Sequence, residues 1–208
     1  MNPEWQLATL LQHIGEEERI AGAVVPPIFQ NSLFVFESVE QFKAGMDLNN
    51  VFEGKFHGYS RITNPTLHIA HQKIACLEHM ECAQLFSSGA AAISCAILSL
   101  TKAGSHVVCL DTVYGPTREF LIDFLGERFN VETTFVVGTD PQEVMGAVRP
   151  NTSLIYLESP GSILFLMQDL EAIATFAREK GIITICDNSY GSPIQQTPAD
   201  FGIDMVVH

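Results

Sequence analysis

The chain has 208 residues, 47% of them apolar and 17% charged, with a formal net charge of −13. A surface this acidic repels nucleic acid and anionic membranes, and no Lys/Arg cluster offsets it. The length suits one large domain or one and a half ordinary ones, and the longest near-continuous apolar run, residues 90–100, is broken by Ser94 and Ser99, too short for a membrane span. The first twenty residues carry acids rather than a basic stretch before an apolar run, so they do not read as a secretory signal, and a soluble cytoplasmic protein is the expectation. Five cysteines, Cys76, Cys82, Cys95, Cys109 and Cys186, form no CxxC pair. They read as buried free thiols, and their spacing to the histidines offers no metal site.

Taken in chain order, residues 1–58 read as an irregular arm without a core of its own. A short helix is expected over residues 3–14. Residues 23–36 are extended, because Pro26 and Pro27 exclude a helix there. A polar stretch with Gly54 and Gly58 follows. An arm of this kind usually packs on another subunit. From residue 63 the pattern becomes an alternation of helix and strand. Thr63 or Asn64 caps a helix that has Pro65 in its first turn and runs through Leu77. A strand is expected over 83–86, a helix over 88–102 closed by Gly104, a strand over 106–110 and a helix over 115–129. Then come a strand over 131–137, a helix over 141–148 capped by Asp140, and a strand over 153–157. A helix over 169–180 ends at Gly181, and strands over 182–186 and 204–207 follow.

Continuous apolar strands separated by helices predict an α/β fold: a mostly parallel sheet with helices on both faces. The chain closes inside a strand with no covering helix, which predicts an incomplete domain. Ligands of such sheets sit at the carboxyl ends of the strands. The residues just after the strands are Ser87-Ser88-Gly89-Ala90, Asp111-Thr112-Val113-Tyr114-Gly115, Glu158-Ser159-Pro160 and Asp187-Asn188-Ser189. The SSGAAA turn fits a phosphate on the free N–H groups of a helix start, or plain helix capping. It is neither GxGxxG nor GxxxxGK[ST], which argues against nicotinamide and nucleoside triphosphates. Tyr114 fits an aromatic platform or a buried loop tyrosine. Asp187, after a buried strand, fits a loop cap, a metal ligand or the partner of a cationic ligand atom. Arg61, with Tyr59 in GYSRITNPT, fits a phosphate contact or a surface turn with a salt bridge. Glu158 reads as a structural carboxylate. His57, His68, His71, His79 and His106 show no nucleophile or metal pattern and read as structural or surface residues.

In order along the chain stand VVPPIFQNSLFVFESVE, YSRITNPT, FSSGAAAI, DTVYGPTREF, RPNTSLIYLESPGS, DNSYGSP and DFGIDMVVH. From about Ala23 to His208 this resembles the Cys/Met-metabolism family of pyridoxal-phosphate (PLP) enzymes: cystathionine β-lyases, γ-synthases and γ-lyases, and methionine γ-lyases. The resemblance implies the aspartate-aminotransferase-like (type I) PLP fold, with residues 1–58 as an arm on a neighbouring subunit and residues 59–208 as an incomplete PLP-binding domain lacking the C-terminal one. It implies cofactor contacts from Ser88, Gly89 and Ala90 to the phosphate, Tyr114 stacked on the ring as the catalytic aromatic, Asp187 on the pyridine nitrogen, and Ser189 beside the ring. Tyr59 and Arg61 would reach the phosphate of a neighbouring subunit's cofactor, making a homodimer the minimal active unit and a homotetramer the usual assembly.

Two departures from the family pattern stand out. After VVH the family continues to a Schiff-base lysine, whereas this sequence ends at His208, and none of Lys43, Lys55, Lys73, Lys102 and Lys180 matches that motif. ESPGSI replaces the Glu-Thr-Pro-x-Asn-Pro run of many members, putting Ser162 where an asparagine would face the cofactor's phenolic oxygen; ESPGS resembles some bacterial cystathionine β-lyases. The expectation is a PLP-dependent carbon–sulfur lyase acting on a small amino acid by β-elimination, cystathionine first. The rival activities are γ-synthesis, γ-elimination and O-acylhomoserine sulfhydrylation, and the rival of another class is a non-catalytic fragment.

Overall fold

The computed structural model describes residues 5–17 and 19–208, and the chain divides into two compact units, Met1–Leu85 and Phe86–His208. Among the described residues the first unit carries four α-helices, α1 (Leu7–His13), α2 (Val39–Gly45), α3 (Leu48–Phe52) and α4 (Pro65–Leu77), and a short 3-10 turn at Ile20–Gly22. α1 occupies the described part of the helix expected over 3–14, whose first two residues lie outside the described set. Of the two candidate caps of α4, Asn64 takes the position: its side chain accepts from the Leu67 N–H at 2.9 Å. Helices α2 and α3 lie where the sequence reads as irregular. Both are short, and their signal is local capping rather than long apolar periodicity. The Ser38 hydroxyl accepts from Gln41 N–H (3.1 Å) and the Asp47 carboxylate from Asn49 N–H (2.9 Å). The Pro26-Pro27 segment is non-helical, and Leu33 forms an antiparallel bridge with Tyr59.

The second unit is built on five parallel strands: β1 (His106–Leu110), β2 (Glu132–Val136), β3 (Thr152–Glu158), β4 (Ile183–Asp187) and β5 (Met205–Val207), in the order β2-β1-β3-β4-β5. Successive residues of β1 and of the second half of β3 are all buried. Their side chains point alternately to opposite faces, so both faces of the sheet are covered. Helix α5 (Gly89–Leu100) packs on β3, β4 and β5, and α9 (Leu170–Lys180) on β4. α9 is capped by Asp169 and stopped at Gly181, whose left-handed backbone (φ 67°) suits glycine. The segment expected as one helix over 115–129 is three pieces. α6 (Gly115–Glu119) widens into a π-type turn over Phe120–Gly126 and closes as α7 (Glu127–Phe129). α8 (Pro141–Gly146) and α10 (Ser192–Gln195) are short connectors.

Two local expectations are corrected. Residues 83–86 form no strand, because no described segment pairs with them and a strand exists through its ladder. Of the five free thiols only Cys109 and Cys186, inside β1 and β4, are buried, whereas Cys82 and Cys95 are exposed. Burial holds the Cys109 thiol far above its ordinary range. His106 is fully buried, its ring nitrogens within 2.7 and 2.8 Å of the Thr152 and Thr134 hydroxyls on the two flanking strands. No helix among the described residues is long and apolar enough to cross a membrane.

The centre of the sheet sets the first expected outcome. Leu154 is completely buried in the core, so Leu154→Ala should cost about 2–5 kcal/mol in chemical denaturation. A second concerns acid. Burial lowers the imidazole pKa values of His57, His68 and His71 below 6.5. The His57 and His68 ring centroids stand 6.0 Å apart, and His71 Nε2 accepts from the Leu85 N–H at 3.1 Å, a bond that only the neutral ring can make. Groups with depressed histidine pKa values give their full stability above the unfolded value, and that contribution is lost as pH falls below it. Thermal melts should therefore drop as pH falls through 6.5, and His68→Gln should shrink the drop.

Candidate active site

In the sheet order, the chain steps from β1 outward to β2 and then returns to place β3 on the other side of β1. Such a reversal leaves a crevice outside the carboxyl ends of the two strands that flank it. The loop after β1 delivers Thr112, Val113 and Tyr114 there, and the end of β3 delivers Glu158, with Ser162 four residues on. Tyr114 takes the position before α6 with its side chain 45% exposed. It is an open ring, not a buried loop tyrosine.

Glu158 is the last residue of β3 and only 3% exposed. Burial pushes its carboxyl up from the ordinary glutamate range, against two donors that favour the charged form. Those donors are the Tyr114 N–H, 2.6 Å from Oε2, and the Ser162 hydroxyl, 2.7 Å from Oε1. The Ser162 N–H in turn donates to the Thr112 carbonyl at 2.8 Å. Gly161 lies so close that a Cβ on it would stand 2.7 Å from Thr112 Oγ1. The two loops of the crevice are thus tied directly to one another.

On the next strand Asp187 is the register partner of Glu158 and is 4% exposed. Its Oδ1 accepts from the Ser189 N–H at 2.9 Å, which fits the loop-cap reading. No lysine or arginine among the described residues pairs with it. Asn188 donates its N–H to the Val207 carbonyl (2.9 Å) and its amide to the Gln196 carbonyl (2.9 Å), while Gln196 Nε2 reaches the Ser159 carbonyl (2.7 Å). These bonds fasten the loop after β4 to the loop after β3. Nothing in the local sequence around Gln196 signals that role, since its partners are distant in the chain.

Ser88, Gly89 and Ala90 open α5. The Ser88 hydroxyl accepts from Ala91 N–H at 3.2 Å, so the capping function is present. Gly89 meets a tighter demand than capping: a Cβ there would stand 2.8 Å from the His208 carbonyl oxygen. The backbone that follows β5 therefore runs against the helix start, and only a residue without a side chain lets it in. Ser88, Gly89, Ala90 and Ser189 are exposed. The structure thus brings Tyr114, Asp187, Ser189 and the start of α5 to the carboxyl edge of one sheet, with Glu158 and Ser162 added to the set. Tyr59 and Arg61 belong to the first unit, where the Arg61 guanidinium stacks 5.0 Å from the centre of the Tyr59 ring rather than on an acidic partner. No group of three or more His, Cys, Asp or Glu among the described residues is placed to hold a metal ion.

The parallel α/β sheet of the second unit is the type I PLP-enzyme fold of the solved structures that the chain matches. The chain belongs to the Cys/Met metabolism PLP-dependent enzyme family, whose pattern matches residues 8–208. It is 38% identical to the L-methionine γ-lyase of Treponema denticola over 198 residues, covering 94% of this chain and 48% of that one. It is also 38% identical to the cystathionine β-lyase of Bacillus subtilis over 205 residues, covering 98% of this chain and 49% of that one. Among solved structures it is similar to a putative O-acetylhomoserine (thiol)-lyase of Campylobacter jejuni that contains a pyridoxyl-lysine monophosphate. The TM-score is 0.86 at 27% identity, with 99% of this chain and 50% of that chain covered. The chain spans about half the length of the curated relatives it matches.

The residues present fit the family's cofactor. A buried carboxylate with no lysine or arginine partner among the described residues suits a cationic ring nitrogen, and the exposed start of α5 suits an anion. A side chain at residue 89 should be felt directly: Gly89→Ala is expected to cost about 1–3 kcal/mol, read as a lowered melting midpoint.

Proposed function

We propose that the full-length protein is a PLP-dependent carbon–sulfur lyase of sulfur amino-acid metabolism that acts on cystathionine by β-elimination. The observation that carries the cofactor site is Asp187, a buried carboxylate at the end of β4 beside the crevice, with no lysine or arginine among the described residues to neutralise it. The chemistry that PLP supplies when bound is an electron sink for the substrate carbon whose proton is removed. Asp187 holds the ring nitrogen in its protonated state, because an unpaired buried carboxylate gains most from a cationic partner. The Tyr114 ring would pack on the cofactor ring. Gly89 and Ala90 offer backbone N–H groups to the phosphate, with Ser88 beside them, at the start of a helix whose dipole favours an anion. Ser189 holds Asp187 through its N–H and presents its hydroxyl on the same loop. These local donors work against the overall charge of −13, which on its own disfavours an anionic ligand.

The preference for β-elimination of cystathionine is supported by ESPGS, residues 158–162, and by the similarity to a cystathionine β-lyase, which equals in percentage identity that to a methionine γ-lyase. The two chemistries leave different products. Cleavage at Cβ of cystathionine releases pyruvate, ammonia and homocysteine; cleavage at Cγ releases 2-oxobutyrate, ammonia and cysteine.

A subunit partner completes this reading. In the first unit Val24, Val25, Ile28, Leu33 and Val35 are all exposed within twelve residues, Val35 at 98%, an apolar content that suits a covered surface. We assign this arm to a neighbouring subunit, with Tyr59 and Arg61 directed to that subunit's cofactor phosphate, in a cytoplasmic homodimer or homotetramer.

Purified full-length protein with PLP should release pyruvate from L-cystathionine faster than it releases 2-oxobutyrate. Formation of 2-oxobutyrate alone, or turnover of O-acylhomoserine with a thiol and no lyase activity, would overturn the assignment. Asp187→Asn should weaken PLP retention in equilibrium dialysis about tenfold or more, through loss of a charge-assisted contact.

A further inference from the structure

Glu158 holds two loops with one carboxylate. Its Oε2 accepts from the Tyr114 backbone N–H (2.6 Å) and its Oε1 from the Ser162 hydroxyl (2.7 Å). A third bond, from the Ser162 N–H to the Thr112 carbonyl (2.8 Å), closes the same circuit. The Tyr114 N–H precedes α6 and has no carbonyl of that helix to serve, so the Glu158 oxygen meets a donor that the helix leaves over. The tyrosine itself is open to solvent at 45%. Its ring direction therefore depends on how firmly the backbone at residue 114 is held, more than on side-chain packing.

We propose that Glu158 is a positioning residue, whose carboxylate straps the Tyr114 loop to the Ser162 loop and so fixes where the aromatic ring stands at the carboxyl edge. This rests on the reading of that edge as the cofactor site. The competing account is electrostatic: Glu158 is the register partner of Asp187, and its negative charge could act on that aspartate instead. Hydrogen-bond inventory separates the two. A glutamine at 158 keeps an acceptor for the Tyr114 N–H, and its NH2 can donate to the Ser162 hydroxyl, which rotates from donor to acceptor. Glu158→Gln thus keeps the strap and removes the charge, whereas Glu158→Ala removes both.

The test uses the full-length protein with two readouts. The first is amide hydrogen exchange of the segment containing Tyr114 and Gly115, without added cofactor. The second is PLP affinity by titration, with the visible circular dichroism of the bound cofactor as a report on ring environment. In Glu158→Ala, exchange at this segment should quicken about tenfold and PLP affinity should fall by a similar factor, the scale of one hydrogen bond to a charged acceptor. Glu158→Gln should stay within about threefold of the parent on both, since both bonds are re-formed. Ser162→Ala, which cuts only the Oε1 arm, should fall between them and serves if Glu158→Ala does not fold. The proposal is overturned if Glu158→Gln loses affinity as fully as Glu158→Ala while its Tyr114 amide stays protected, which would assign the effect to charge. It is equally overturned if neither Glu158→Ala nor Ser162→Ala changes exchange. A parent protein that binds no PLP would sink the cofactor reading, and the exchange arm would still decide the strap.

Discussion

Two buried carboxylates end adjacent strands of one parallel sheet, side by side in register, and much of the carboxyl edge is organised around keeping them there. Glu158 and Asp187 are held by different means. Glu158 accepts from the Tyr114 N–H and the Ser162 hydroxyl, and Asp187 accepts from the Ser189 N–H. Burying a carboxylate without donors or a counter-charge is costly, and two neighbouring ones repel. The fold answers for Glu158 with internal donors, so its carboxyl rises only under burial and the nearby Asp187. For Asp187 it supplies one backbone donor and no lysine or arginine among the described residues. That asymmetry is what the proposed roles rest on: Asp187 facing a cationic group from outside the chain, and Glu158 within the scaffold.

The same edge shows why loops can be held with little regular structure. The segments after β3 and β4 contain positive-φ residues such as Ile163, Phe165 and Ser192, conformations that side-chain-bearing residues adopt at a cost. The same loops are tied by polar bonds: Gln196 Nε2 reaches the Ser159 carbonyl, the Asn188 amide donates to the Gln196 carbonyl, the Ser162 N–H donates to the Thr112 carbonyl and the Ser162 hydroxyl to Glu158. The opposite end of the sheet is fastened by another polar set, in which His106 on β1 meets the Thr134 and Thr152 hydroxyls of β2 and β3. Polar staples at both ends leave the middle of the sheet to Leu154, Ile155, Ile185 and their apolar neighbours.

Most strands of the second unit were legible in the sequence, because fully buried parallel strands leave continuous apolar runs: HVVCL, SLIYL and IITIC each coincide closely with a strand. Two helix boundaries were legible as well, because a capping carboxylate and a left-handed glycine each carry a local signal: Asp140 starts α8 and Gly181 ends α9. Residues 83–86 misled because an apolar run says nothing about a pairing partner. The piecewise helix over 115–129 was not legible either, since a π-type turn keeps the apolar spacing of a helix while changing its hydrogen bonds. Of the proposed site, the strand-end residues were accessible from position alone. The clamp on Glu158 was not, since its donors come from residue 114 on another loop and from residue 162, and no periodicity joins 114 to 158.

Gly89 shows how one absent atom can serve two demands at once. The sequence suggests a phosphate turn there because small residues leave backbone N–H groups accessible. The structure adds a second requirement, since the carbonyl of His208 at the end of β5 stands where a Cβ of residue 89 would collide with it. The start of α5 and the end of β5 can approach each other only because residue 89 has no side chain. The residue following β5 is thereby delivered beside that helix start. A substitution at 89 would disturb the strand end whatever it does to the proposed phosphate contact, so the two effects are separated by measuring the stability of β5 in the same variant.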